Sequence, residues 1–149
     1  MHLESLSFEE LLKEGVCSKL AHILTNPASY DKDLDILIGK TNWDYLIPED
    51  AGNVIPLWDS NADTFARWVR AGKTEYVWLF HDDPNWALMA TSEQGIKAQL
   101  WSQWCEFHED TKECNRFAEA INFFHCDEAL KIWERDYDEF QQWKLELSD

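Results

Sequence analysis

A chain of 149 residues with 29 Asp and Glu against 13 Lys and Arg has a net charge of −16 and a pI near 4.5. That balance speaks against a direct nucleic-acid partner, since the longest basic feature is Arg67 with Arg70 and Lys73, and it repels an anionic membrane surface. At 45% hydrophobic residues with nine Trp, the chain is too apolar to stay disordered and is expected to fold as one domain over 1–149. No apolar run approaches the roughly 18 to 20 residues that span a bilayer, and the opening MHLESLSFEE lacks the features of a signal peptide. A cytoplasmic location is therefore expected, with Cys17, Cys105, Cys114 and Cys126 reduced.

Ser7 and Glu10 have the spacing of a capping box, with Leu6 and Leu11 at the staple positions. The apolar positions that follow, from Phe8 to Leu24, predict one helix over 7–25, stopped by Asn26-Pro27. Tyr30, Leu34, Leu37 and Ile38 predict a second helix over 29–38, with Gly39 as its left-handed cap. Thr41 to Gly52, carrying Pro48, reads as a connection.

From Asn53 the pattern changes to strands: Val54–Trp58, Thr64–Arg70, Thr74–Phe80 and Trp86–Ala90. Their connections, 59–63, 71–73 and 81–85, are too short for parallel crossovers, so an antiparallel meander is expected. The strand from Glu75 to Phe80 is apolar on both faces after Glu75 and should lie centrally. Helices then return. Ser92 is positioned to cap one that buries Ile96, Leu100, Trp101, Trp104 and Phe107. Phe117, Ile121 and Phe124 suggest another. Asp127 is read as the cap of a last helix with Leu130, Trp133, Tyr137, Phe140 and Leu147 at helical spacing. Helices at both ends of a meander give an α+β class.

Chemistry-bearing motifs are sparse. Cys105, His108, Cys114, His125 and Cys126 contain enough thiols and imidazoles for zinc, but their spacing lacks paired knuckles, and structural cysteines are the better reading. No metal or cofactor is expected. Asp59-Ser60-Asn61-Ala62-Asp63 lacks the Gly and distal Glu of a calcium loop. The five glycines make no phosphate loop, and no nucleophile elbow is present. His81-Asp82-Asp83-Pro84 reads first as a turn and second as a recognition loop or an acid/base group.

Binding is thus expected more than catalysis. Trp58 and Trp86 border polar turns and are candidate interface anchors, with Asp59, Asn61, Asp63, Asp82 and Asp83 around them. From Cys105 onward 13 acidic residues face 5 basic ones, and Glu134 and Asp138 fall off the apolar stripe of the last helix as further contact candidates.

The leading helix, Pro27-Ala28-Ser29-Tyr30 opening a second one, Val54-Ile55-Pro56-Leu57 opening the meander, and Ser92-Glu93-Gln94 opening the next helix together resemble the SUKH superfamily. That superfamily includes yeast glucan-synthesis regulators and bacterial immunity proteins. The resemblance covers roughly residues 6–107, with 108–149 as a helical extension. It implies a SUKH-like fold and a non-enzymatic immunity protein that binds and neutralises a cognate toxin, often a nuclease, and it carries over no catalytic residue. Two alternatives stay open: a regulatory or scaffold protein binding an endogenous basic partner, and a small enzyme using the His81-Asp82-Asp83 turn.

Overall fold

In the computed structural model, which describes residues 1–149, the alternating segment builds a four-stranded antiparallel sheet in sequential order. A two-stranded sheet and seven α-helices complete an α+β fold. The chain divides into two compact units, Met1–Leu88 and Met89–Asp149.

In the first unit, β1 (His2–Glu4) pairs antiparallel with β2 (Asn42–Asp44), both within stretches the sequence offered no strand signal for. The Ser7–Glu10 capping box forms in both directions. The helix it starts is short. α1 (Phe8–Lys13) ends at Glu14, Gly15 turns at φ +87°, and α2 (Ser18–Thr25) begins after Cys17, so the single helix expected over 7–25 is two. Gly15 stands on the predicted stripe, but its freedom at positive φ is what the chain uses there. The helix expected over 29–38 is likewise reduced to a 3-10 turn, Pro27–Ser29, and a single turn of α3 (Leu34–Leu37). Gly39 is not its left-handed cap. It forms an isolated antiparallel bridge with Asp59, both bonds at 3.0 Å, where an added Cβ would stand 3.1 Å from the Asp59 Cβ.

The large sheet comprises β3 (Asn53–Ser60), β4 (Asp63–Arg70), β5 (Lys73–Leu79) and β6 (Trp86–Ala90). Pro56, which has no N–H to donate, is accommodated because β3 is an edge strand. β5 lies inside the sheet, as its two apolar faces require. The β3–β4 turn places Asn61 and Ala62 at φ 54° and 69°, and the β4–β5 turn places Ala71 and Gly72 at 51° and 73°, the positive pairs of tight hairpins.

One face of the sheet presents Ala66, Trp68, Val77 and Leu79 to a core shared with Leu3, Tyr45 and Ile47. On the other face Trp58 is opposite Phe65 and Phe65 opposite Trp78, and the three rings stack at centroid separations of 4.6 and 5.3 Å. Each such pair contributes about 1 kcal/mol beyond the burial of its area. A register shift between Pro56 and Trp58 makes this possible, because the extra residue Leu57 brings Trp58 opposite Phe65 and Asp59 opposite Thr64.

In the second unit, α4 (Glu93–His108) is the central element, and Ile96, Leu100, Trp101, Trp104 and Cys105 are all buried. Its N-terminal amides are satisfied by the Ser92 hydroxyl, which accepts from Gly95, and by the Asp149 carboxylate, which accepts from Glu93 and Gln94. α5 (Thr111–Ala120), α6 (Cys126–Ile132) and α7 (Tyr137–Glu146) surround the fully buried Trp101, whose ring meets Phe123, Trp133 and Phe140 and whose indole N–H donates to the Cys114 carbonyl at 3.0 Å. The last helix of the sequence reading is two helices. Asp136, extended at φ −152°, interrupts it and caps α7 by accepting from the Glu139 amide, while Asp127 lies inside the first turn of α6 instead of capping it. Phe107, Phe124 and Tyr137, expected on buried stripes, are 48%, 73% and 69% exposed. No helix is long and apolar enough to cross a membrane.

Candidate functional site

The register shift that stacks Trp58 also turns the Asp59 side chain onto the face that carries Ala66 and Trp68. There it is buried, and its carboxylate is saturated with donors. One oxygen accepts from the Thr41 and Thr64 hydroxyls at 2.6 Å each, and the other from the Trp43 indole N–H at 2.7 Å. Tyr45 shares a short hydrogen bond with the Thr64 hydroxyl, and burial holds the phenol up at about 12. Asp59 therefore anchors the chain between β2 and β3 from within. It does not meet a partner at the surface, and neither does Trp58, which is 0% exposed.

The surface above this network is formed by Trp43, 43% exposed, and by His81 with its ring 6.2 Å away. His81 sits at the end of β5 between two carboxylates. Its Nδ1 is 3.1 Å from Asp63 and its Nε2 2.9 Å from Asp82. The hydrogen bond to Asp63, then the charge of Asp82, raises its pKa above the ordinary imidazole value. Both ring nitrogens are thus engaged by carboxylates. Asn61, Asp82 and Asp83 are exposed around it, and Asp83 accepts from the Asn85 amide in the turn. The structure thus gathers Asn61, Asp63, Asp82 and Asp83 at one end of the sheet. Trp43 was missing from the sequence reading because it lies in a stretch taken for a connection.

Trp86 belongs to a different cluster. Its ring packs edge-on to Trp68 at 5.4 Å, with the Arg70 guanidinium 4.1 Å from the Trp68 ring and 4.9 Å from that of Trp86. Arg70 is further paired with Glu75 at 3.2 Å and Arg67 with Glu14 at 3.5 Å, so two of the three basic residues noted on this hairpin are already neutralised.

In the second unit, Glu134 and Asp138 are exposed, as their positions off the apolar stripe predict. Glu134 lines a groove of about 420 Å³. One wall is a stripe of α4 at the spacing i, i+3, i+4, i+7, namely Gln99, Ser102, Gln103 and Glu106. Trp133, Tyr137 and Phe140 contribute rings, and Glu109 is also part of the lining. No Lys or Arg lines it. Behind it, the wholly buried Lys144 donates to Gln99 Oε1 at 2.5 Å and has no carboxylate partner, and burial lowers its pKa to about 7. A second groove of about 510 Å³ between α6 and α7 is lined by Lys131 and Arg135 as well as by Glu128, Glu139 and Glu146.

Among the five residues considered for zinc, as elsewhere, no group of three or more His, Cys, Asp or Glu is placed to hold a metal ion. Cys105, Cys114 and Cys126 are buried thiols, and burial raises the pKa of each, that of Cys126 to about 11. They pack as small apolar groups. Compared with protein-family models, with curated proteins and with solved structures, the chain matches none of them.

Proposed function

We propose that this protein is an acidic binding module whose partner is a basic protein, and that the partner is a toxin domain which it neutralises, as the SUKH-like order of elements suggests. The observation that carries the reading is the distribution of unpaired carboxylates. The second unit holds 14 Asp and Glu against 6 Lys and Arg, and only Glu93, Glu113 and Glu139 have one of those cations within 4.0 Å. The rest, Glu106, Glu109, Glu134 and Asp138 among them, present uncompensated charge to solvent or grooves. Such a surface draws a cationic protein by long-range attraction and repels wrong, acidic partners. A nuclease carries basic residues for its phosphate substrate, so an acidic module covering them blocks the site it binds.

The test is co-expression with any basic protein encoded beside this gene. Protection of the cells, with salt-sensitive binding of the two purified proteins, supports neutralisation. Binding without protection points instead to a regulator or scaffold. Absence of binding at low salt removes both.

A further inference from the structure

We propose that the groove between α4 and the α6–α7 segment is an arginine-binding slot that receives one guanidinium side chain of the partner. The inference rests on the reading that the partner is basic, and adds where and how one of its side chains is held. Glu106, Glu109 and Glu134 line the groove, none of them in an ion pair, and the groove has no cation of its own. Three carboxylates lining one cavity with no cation among them favour a positively charged occupant over a neutral or anionic one. The neighbouring groove between α6 and α7 lacks this bias, because Lys131 and Arg135 line it and Arg135 already pairs with Glu139 at 2.9 Å.

The exposed aromatic rings select arginine, and Gln99 supplies a donor beside them. The Tyr137 ring is 69% exposed and Trp133 stands beside it in the lining, so aromatic faces are available to a planar cation. Gln99 is only 9% exposed, and its carbonyl oxygen is taken by Lys144. Its amide nitrogen has no partner within the chain, leaving a donor at the groove for a backbone carbonyl next to the bound side chain. A guanidinium fills this site by stacking on a ring while its fork of donors meets the carboxylates. Lysine satisfies the charge but not the stacking.

The probe is hexa-arginine, titrated against the full chain at low ionic strength, with hexalysine for comparison. Glu106→Gln/Glu134→Gln and, separately, Tyr137→Ala are each expected to weaken hexa-arginine binding about tenfold. Glu9→Gln/Asp50→Asn removes the same charge from exposed positions elsewhere and is expected to change it less than about twofold. Hexa-arginine should also bind more tightly than hexalysine. Equal losses in the two charge-removing pairs, or no effect of Tyr137→Ala, would overturn the slot and leave diffuse charge attraction, with the basic-partner reading intact. No binding of hexa-arginine to the wild-type chain overturns both.

Discussion

Lys144 offers the sharpest energetic test of the helical unit. Its ammonium is wholly buried, donates to a neutral Gln99 carbonyl, lies 6.0 Å from the Phe140 ring centroid and faces no carboxylate. Burial lowers its pKa from 10.5 to about 7. At about 1.4 kcal/mol per pKa unit, keeping this amine in the fold costs roughly 5 kcal/mol below pH 7 relative to a permanently neutral group. The sign follows from proton binding. Between pH 7 and 10.5 the unfolded chain holds the proton and the folded chain releases it, so this contribution makes stability rise with pH. Lys144→Met removes the titration while keeping the volume, but leaves the Gln99 carbonyl without its donor, a loss of about 1 to 3 kcal/mol. The variant should therefore be more stable than wild type at pH 7 by about 2 kcal/mol. That advantage should shrink by about 1.4 kcal/mol per pH unit and reverse between about pH 8 and 9, leaving wild type the more stable at pH 10. Urea unfolding of both proteins at pH 6, 7.5, 9 and 10 measures the difference, from which the cysteines and other shared titrations cancel. Parallel pH profiles for the two proteins would refute the assignment of Lys144 as an uncompensated buried amine.

Four other outcomes are expected. Asp59→Ala leaves the Thr41 and Thr64 hydroxyls and the Trp43 indole without their acceptor and should destabilise the first unit by about 3 kcal/mol in urea unfolding, while circular dichroism at low denaturant stays native. Ala62→Gly relieves a non-glycine residue at φ 69° and should raise stability by about 1 kcal/mol, read as a shift in the urea midpoint without a change in slope. Gly95→Ala places a Cβ 2.7 Å from both the Ala90 Cβ and the Lys144 carbonyl, so it should destabilise by about 2 kcal/mol despite the better helix propensity of alanine. His81, with its pKa raised chiefly by Asp63, stabilises the fold fully below the unfolded imidazole value near 6.5, and that contribution disappears as pH rises through the higher folded value. Wild type should then lose stability relative to His81→Gln over that window, and an NMR titration of the His81 ring should show the raised midpoint.

The sequence was most legible where one strong local rule acted alone. The Ser7–Glu10 box, the Ser92 cap, the boundaries of all four strands of the large sheet to within two residues and the central position of β5 follow from capping chemistry, turn residues and two-faced hydrophobicity. It was least legible where a single residue redirected a long pattern. Gly15 and Asp136 each divide a stripe that continues at helical spacing across them, so periodicity alone counts one helix where the backbone makes two. The candidate surface suffered from the same kind of event. One extra residue at Leu57 decides which way Trp58 and Asp59 point, and both go inside, whereas the neighbouring turn residues Asn61, Asp82 and Asp83 stay at the surface as turn chemistry suggests. Trp43 and His81 came together through a β1–β2 pairing of only three residues each, too short for any alternation to announce. Gln99 and Lys144, 45 positions apart, could be joined only by the packing of α4 against α7.

Whether the acidic surface exists to bind a basic protein is tested most directly by the association rate of the full chain with any basic protein encoded beside its gene, followed across ionic strength. Electrostatic recognition predicts fast association at low salt that slows steeply as salt is added, while the dissociation rate changes little. An association rate that does not respond to salt, or no complex at the lowest ionic strength, would contradict it.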